Sequence, residues 1–220
     1  MKCLSRLLLL VVLSGFIFAA GCGTQATNAK EPMAFIEKVE NGDAFVKHLG
    51  DKDFSKAESK TSLFEGSIVK TAAGAEAVIR FSTGAVTRVL SETEFELKER
   101  KVASTGQGIV YTRLVKGVAA FYVPKDAEAA KKFEVETERA VASIKGTTFK
   151  VFHDAASTTL AVAEGVVAFS AKTDGKSIDV EAYNQVNCGA AGLGGKEKFN
   201  VLLDPHLSGA GADQILKGSR

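Results

Sequence analysis

From Phe35 onward the chain is a succession of short runs in which apolar side chains fall on every second residue, with small or glycine-bearing breaks between them. Side chains of a strand point alternately to its two faces, so each run builds a strip with one buried side. "AEAVIRFS" sets Ile79 and Phe81 on one face, and Ser82-Thr83-Gly84 turns the chain into "AVTRVL". "ETEFELKE" directs Phe95 and Leu97 inward and Glu94, Glu96 and Lys98 outward. "GIVYTRLV" and "VAAFYV" flank Lys116-Gly117, and "TTLAVA" and "VVAFSA" flank Glu164-Gly165; both pairs predict two-residue hairpins. "SIDVEAY" adds a further strand, and no helical period of comparable length competes. The pattern predicts an all-β fold of packed antiparallel strand rows, sandwich or solenoid-like.

One stretch breaks the rhythm. In "RAVASIKGTTFKVF" the apolar positions are odd at Val141, even at Ile144 and odd again at Phe149 and Val151. A strand must change face or register between them. Gly146 is where a backbone without Cβ can bulge or turn, after which the β-branched Thr147 and Thr148 resume the strand. Gly146 thus joins Gly84, Gly117 and Gly165 as a structural turn and not a chemical site. A single helical stretch, "KDAEAAKK" at 125–132, predicts a short surface helix with Asp126 as cap and Glu128 four residues before Lys132.

The ends of the chain differ from its middle. Residues 1–21 have the shape of a secretory signal: Lys2 and Arg6, the apolar "LLLLVVLSGFIFAA", then small residues before Cys22. The apolar run is shorter than the roughly 20 residues needed to span a bilayer. The order resembles a lipobox, with Ala19 where leucine is more usual, and makes Cys22 the candidate lipidation site; plain secretion is the competing reading. Residues 22–33 are polar and aperiodic, as a tether is, and 34–190 form the β domain. The glycine-rich stretch 191–220 predicts a mobile tail with one helical turn near Asp213–Leu216.

Removing the signal leaves 26 basic against 26 acidic residues. No basic surplus remains to neutralise phosphates, which argues against nucleic acid as a partner. Candidate chemistry is sparse. "AAGLGGKE" falls short of a phosphate-binding loop, with Ala190 for its first glycine and Glu197 where a hydroxyl should follow the lysine. His48, His153 and His206 are scattered, without metal-ligand spacing. Glu92, Glu94 and Glu96 would share one strand face, but Lys98 continues the row, and a solvated face explains it better than a calcium site. Cys188 is left without an intramolecular partner and suits a buried position. Neither catalytic, cofactor-binding nor metal residues are assigned.

The ordered set of runs resembles the FecR domain. The residues that carry the resemblance are "LFEGSIVKTAAGAEAVIRFSTGAVTRVL" (63–90), "LVKGVAAFYV" (114–123), "FEVETERAVASIKGTTFKVF" (133–152) and "LAVAEGVVAFSA" (160–171), with "FIEKVENGDAFVKHLG" (35–50) ahead of them. The "GTTF" at Gly146–Phe149 followed by "EGVVAF" is the most specific element. The resemblance implies an all-β periplasmic module without catalytic residues. The best-known members regulate iron-uptake sigma factors through a cytoplasmic segment and a spanning helix, neither of which is found in this sequence, so that role is not carried over.

Together these readings predict an envelope lipoprotein on the periplasmic side, towards the outer membrane since Gly23 follows Cys22. It would hold its place by the lipid anchor and act as a protein-binding or scaffolding module. The alternatives are an envelope ligand- or glycan-binding protein, an enzyme, or an accessory to sigma-factor or transporter signalling. A buried acyl chain contributes about 0.8 kcal/mol per methylene, so multiple acylation anchors a near-neutral domain that has no other hold on lipid. Cys22→Ser should release processed protein into the soluble periplasmic fraction or leave the signal uncleaved. Processed Cys22→Ser protein that stays with membranes after a high-salt wash would refute the anchor.

Overall fold

The computed structural model describes residues 31–102, 108–125 and 130–208. The signal, Cys22 and most of the tether lie outside these. In chain order the strands are β1 (Ala34–Glu40), β2 (Ala44–Lys47), β3 (Ser55–Lys56), β4 (Ser62–Leu63), β5 (Ser67–Thr71) and β6 (Glu76–Phe81). There follow β7 (Val86–Val89), β8 (Glu94–Val102), β9 (Gly108–Tyr122), β10 (Ala130–Glu136), β11 (Ala140–Ile144) and β12 (Thr148–His153). The last six are β13 (Thr158–Glu164), β14 (Val166–Ala171), β15 (Ser177–Glu181), β16 (Asn184–Gly189), β17 (Gly192–Leu193) and β18 (Glu197–Lys198).

Their pairings form two rows. The first runs β4, β1, β6, β7, the end of β9, β12, β13 and β16, which carries β17 and β18. The second runs β3, β2, β5, β8, the beginning of β9, β10, β11, β14 and β15. The rows face each other across one core. Phe81, Phe121 and Phe149 come from the first and Phe95, Phe133 and Phe169 from the second, all buried. Phe121 is the hub. Its ring stacks on Phe149 at 4.7 Å and meets Phe133 at 6.1 Å and Phe95 at 6.0 Å, while Phe81 meets Phe133 edge-on at 5.2 Å. Such offset and edge-on contacts add to area burial.

The two rows are one meander folded along a crease. β9 pairs with β8 up to Lys116 and with β7 and β12 from Gly117 on, so a single strand passes from row to row. The same passage occurs at β1–β2, β3–β4, β4–β5, β5–β6, β7–β8, β11–β12, β13–β14 and β15–β16. Each of these passages contains a positive-φ residue: Asn41 and Gly42, Lys60, Gly66, Gly74, Glu92, Gly117, Gly146, Gly165 and Tyr183. At three of them one left-handed residue shifts the alternation by one. Leu114 gives way to Ala119 and Phe121, Ile144 to Phe149 and Val151, and Val162 to Val167 and Phe169 as the buried positions. The broken alternation around Gly146 is therefore the crease crossing the chain.

Several sequence expectations change accordingly. Gly117 and Gly165 are crease points and not hairpin turns: Gly117 lies within the fifteen-residue β9, and β13 and β14, on either side of Gly165, pair in different rows. Gly84, at φ +84, lies in the loop of the β6–β7 hairpin. The strands are antiparallel apart from β9 and β10, which run parallel. β10 is an extra strand in the second row alone; the chain leaves β9 in the first row and returns beside its beginning. Of the expected helix at 125–132, Lys125 is in a turn and Ala130–Lys132 already belong to β10; residues 126–129 lie outside the description. The one helical element among the described residues is a 3-10 turn at Val201–Leu203. Glu92 sits in the crease at φ +53 and does not continue the face of Glu94 and Glu96. The stretch after 190, expected to be mobile, pairs with β16 through β17 and β18 and packs on the first row as far as Ser208; 209–220 lie outside the description.

Gly117 has the least freedom. A Cβ there would stand 2.3 Å from Thr93 Oγ1 and 2.7 Å from Thr93 Cα, at φ +97. Thr93 cannot retreat, because its Oγ1 accepts the Val118 N–H at 2.9 Å and its N–H donates to Thr71 Oγ1 at 3.0 Å. Gly117→Ala should cost about 2 kcal/mol or more through strain and overpacking. Gly195→Ala, with nothing within 4 Å of its Cβ, should stay within about 0.5 kcal/mol. Denaturant melts of both variants check the contrast, and equal melts would refute the crease constraint.

Candidate functional site

The outer faces of the two rows differ. On the second, a cross-strand row reads Ile68, Glu96, Arg113, Glu136 and Val141, with charges of opposite sign side by side. Lys98 reaches Glu136 at 2.6 Å and Lys70 reaches Glu94 at 3.1 Å. These are partly exposed pairs, each worth about 0–1 kcal/mol, on an open polar surface.

The outer face of the first row is covered. One cross-strand row reads Lys38, Val78, Arg88, Ala120, Lys150, Ala161 and Gln185. Alternation from the buried Val89 and Ala119 turns these side chains away from the core, towards solvent. Arg88 is nonetheless 0% exposed. Its Nη1 donates to Glu40 Oε2 at 2.9 Å and to Glu76 Oε2 at 2.5 Å. Burial by itself would raise the Glu40 carboxyl, but hydrogen bonds from Lys38 and Arg88 hold it below the usual range.

What covers Arg88's neighbourhood is the strap formed by residues 199–208. The Phe199 N–H donates to the Tyr183 carbonyl at 2.9 Å, and the Asn200 side chain caps the 3-10 turn by accepting the Leu202 N–H at 3.1 Å. Val201 and Leu207 then descend onto Val78, Val86 and Ala120, forming a second apolar cluster flanked by Tyr122, Ala163 and Phe199. Between them Asp204 accepts the His206 N–H with Oδ1 at 3.0 Å and pairs with Lys150 through Oδ2. Burial pushes the Lys150 ammonium below its ordinary value, and the adjoining carboxylate opposes its loss of charge. Beside the strap opens a groove of about 270 Å³ lined by Thr148, Ala163, Glu164, Tyr183, Leu202 and Ser208, among others. The Thr148 hydroxyl is buried without a hydrogen-bond partner.

The other candidate residues are dispersed. His48 Nδ1 lies 2.9 Å from Ser67 Oγ, and His153 Nδ1 lies 3.0 Å from both the Ser157 carbonyl and Thr158 Oγ1. No group of three metal-ligating side chains occurs among the described residues. Cys188 is buried with its thiol towards the Arg139 carbonyl, and burial raises its pKa, away from a reactive thiolate. Lys196, from the phosphate-loop-like stretch, pairs instead with Glu181 at 2.8 Å. Gly146 and Gly165 adjoin one another, since a Cβ on Gly165 would meet the Gly146 carbonyl at 2.9 Å. Sequence reasoning missed Arg88 and Lys150, because charges on outward strand positions look solvated until something is known to cover them, and Asp204, because it lies in an aperiodic stretch.

Comparison with known proteins agrees with the core of this picture. The family model described as FecR protein matches residues 67–168, from the first residue of β5 into β14. Two crystal structures of a proposed anti-sigma factor from Parabacteroides distasonis ATCC 8503 share the fold. One has a TM-score of 0.51 at 17% identity and the other 0.50 at 19%, each match covering 61% of this chain and 61% of that chain. The chain thus spans about three-fifths of the length of these structures. No match is found among curated proteins. The strap lies beyond the residues that match the family.

His206 gives the strap a pH dependence. Burial lowers its pKa; Glu76 acts in the opposite sense, while Lys150 and Arg88 lower it further. A histidine depressed in the folded state is protonated more readily when the strap is free, so stability is lost as pH falls through the ordinary value of about 6.5. Between pH 7.5 and 5.5 the wild type should lose more thermal stability than His206→Gln. Parallel losses in the two proteins would show that His206 does not couple to the fold.

Proposed function

We propose that this chain, which carries a FecR domain at residues 67–168, is a non-enzymatic protein-binding module of the bacterial envelope, tethered through lipidated Cys22 and accessory to signalling across it. The family match is the observation that carries the reading. The shape of the surface supports it. The described grooves, about 270 and 210 Å³, fall short of the roughly 300–1,000 Å³ of sites that enclose small ligands, whereas the two sheet faces are broad. The fold shared with an anti-sigma factor structure is consistent with a regulatory role, in which a β module relays the presence of an envelope partner. A periplasmic position at the outer membrane follows from Gly23 after Cys22 and is part of the proposal.

A glycan-binding reading has less support. Such sites stack sugars on clustered aromatic rings, and of the exposed aromatics Phe35, Phe152 and Tyr183 only Tyr183 lines the groove.

The test is site-specific photocrosslinking in living cells, with the photoreactive residue placed at Tyr183, Leu202 or Glu96. One discrete protein adduct, formed from a subset of these positions and surviving mild detergent, is the expected result. Uniform absence of protein adducts, together with retention on immobilised envelope glycans, would overturn the proposal.

A further inference from the structure

The strap has the features of a bound ligand more than those of a structural strand. It pairs with neither row, apart from the bond of Phe199 to Tyr183 at its entry. Phe199 flanks the apolar cluster at its entry, and beyond it the strap meets the first row through Val201, Asp204 and Leu207, at a spacing of three. Its own larger side chains are poorly used, for Leu202 is 81% and Leu203 80% exposed. Its His206 Nδ1 is buried without a hydrogen-bond partner. Both features weaken its hold relative to the interleaved core. The face beneath is complete without it, except in one respect. Arg88 has Glu40 and Glu76 beneath the strap, but the carboxylate paired with Lys150, at a position 21% exposed, is the strap's own Asp204.

We propose that the strap is a resident, exchangeable ligand. The outer face of β6, β7, β9 and β12 is a docking site for a short, turn-forming protein segment bearing a carboxylate with an apolar side chain three residues to either side, and Val201, Asp204 and Leu207 fill it in cis. The inference rests on the reading of the chain as a protein-binding module and names the chemistry of the partner. Charge selects that chemistry. Lifting the strap returns the Lys150 ammonium to water, and any segment that covers it again without a carboxylate buries an unpaired cation, so the face selects an anionic segment. The adjoining groove supplies a second, independent recognition point, since the Thr148 hydroxyl, on a residue 2% exposed, has no partner and lines it. A main-chain group of the incoming segment would supply that partner. Because the strap is covalently attached, its effective concentration keeps the face closed until a partner of higher affinity, or a weakened strap, shifts the balance.

The probe is a fluorescent peptide with the sequence of residues 199–208, titrated into the full mature chain carrying Cys22→Ser to omit the lipid. Asp204→Ala in the chain should release the resident strap and raise affinity for the peptide at least tenfold over the parent chain. Adding Lys150→Met to that chain, or replacing the peptide's aspartate by asparagine, should remove at least tenfold. If Asp204→Ala does not fold by circular dichroism, Asp204→Asn, which keeps an acceptor for the His206 N–H, takes its place. Hydrogen exchange of the parent chain needs no variant: amides of 201–208 should exchange at least a hundredfold faster than those of β12. Peptide binding unaffected by Asp204, equal binding of the asparagine peptide, or strap amides as slow as β12 would each overturn the inference. A chain that forms a protein adduct in cells yet never takes the peptide refutes the docking site alone, whereas peptide binding without any adduct refutes the proposed function and spares the exchange.

Discussion

Everything in this molecule depends on a crease. A meander of this length carries more inward apolar side chains than one flat sheet can hide, and among the described residues no α-helix is at hand to cover it. The sheet therefore covers itself. Folding a pleated strand sharply without losing its pairings requires a residue in the left-handed region, and the nine passages between rows named above each have one. Where glycine supplies it the cost is small. Where Asn41, Glu92 or Tyr183 does, the backbone is held by its surroundings against its own preference. The crease also sets the phase of each half-strand, which is why Phe121 and Phe133, on opposite rows, meet at the centre of one core.

That dependence explains how much the sequence disclosed. Alternation identifies the strands because that signal is local, and the glycines between runs lie at positive φ. The distinction between a hairpin and a crease is not local. Lys116-Gly117 and Glu164-Gly165 sit between two alternating runs, as hairpin turns do. The difference lies in which strand each half pairs with, and that is decided by residues far along the chain. A finer local signal did exist. The even-to-odd slip of the apolar positions between Ile144 and Phe149 recurs across Gly117 and Gly165, and marks a strand that changes row. The parallel entry of β10 had no such signal, since it follows from where β9 ends.

The covered face was the least legible part, for a reason rooted in charge. Arg88 and Lys150 occupy outward positions of unremarkable strands, and composition assigns such residues to water. Their burial comes from residues 199–208, which contain no glycine themselves but lie between glycine-rich segments whose composition suggests a tail. Asn200 and Asp204 reverse that impression, because both side chains accept backbone N–H groups and close tight turns without regular secondary structure. Short capped turns of this kind leave almost no periodic trace. The family match, which ends within β14, likewise gives no notice of them.

The balance of forces on the strap decides what it can be. Two ions taken out of water recover little net free energy from each other, and often less than an apolar pair of the same volume would give. The Lys150–Asp204 pair is therefore poor cement, but it is a strict criterion, because a segment lacking the carboxylate leaves an unpaired ammonium behind. The apolar contacts of Val201 and Leu207 supply attraction, and the ion pair supplies discrimination. A strap built for permanence would need only the first. The combination suits a surface that must stay closed to most chains and open to one kind, and His206, whose pKa is lowered by burial and by Lys150 and Arg88, makes the closure weakest in acid. The crease provides a rigid body; on its outer face, a small difference between competing segments can then decide which of them is bound.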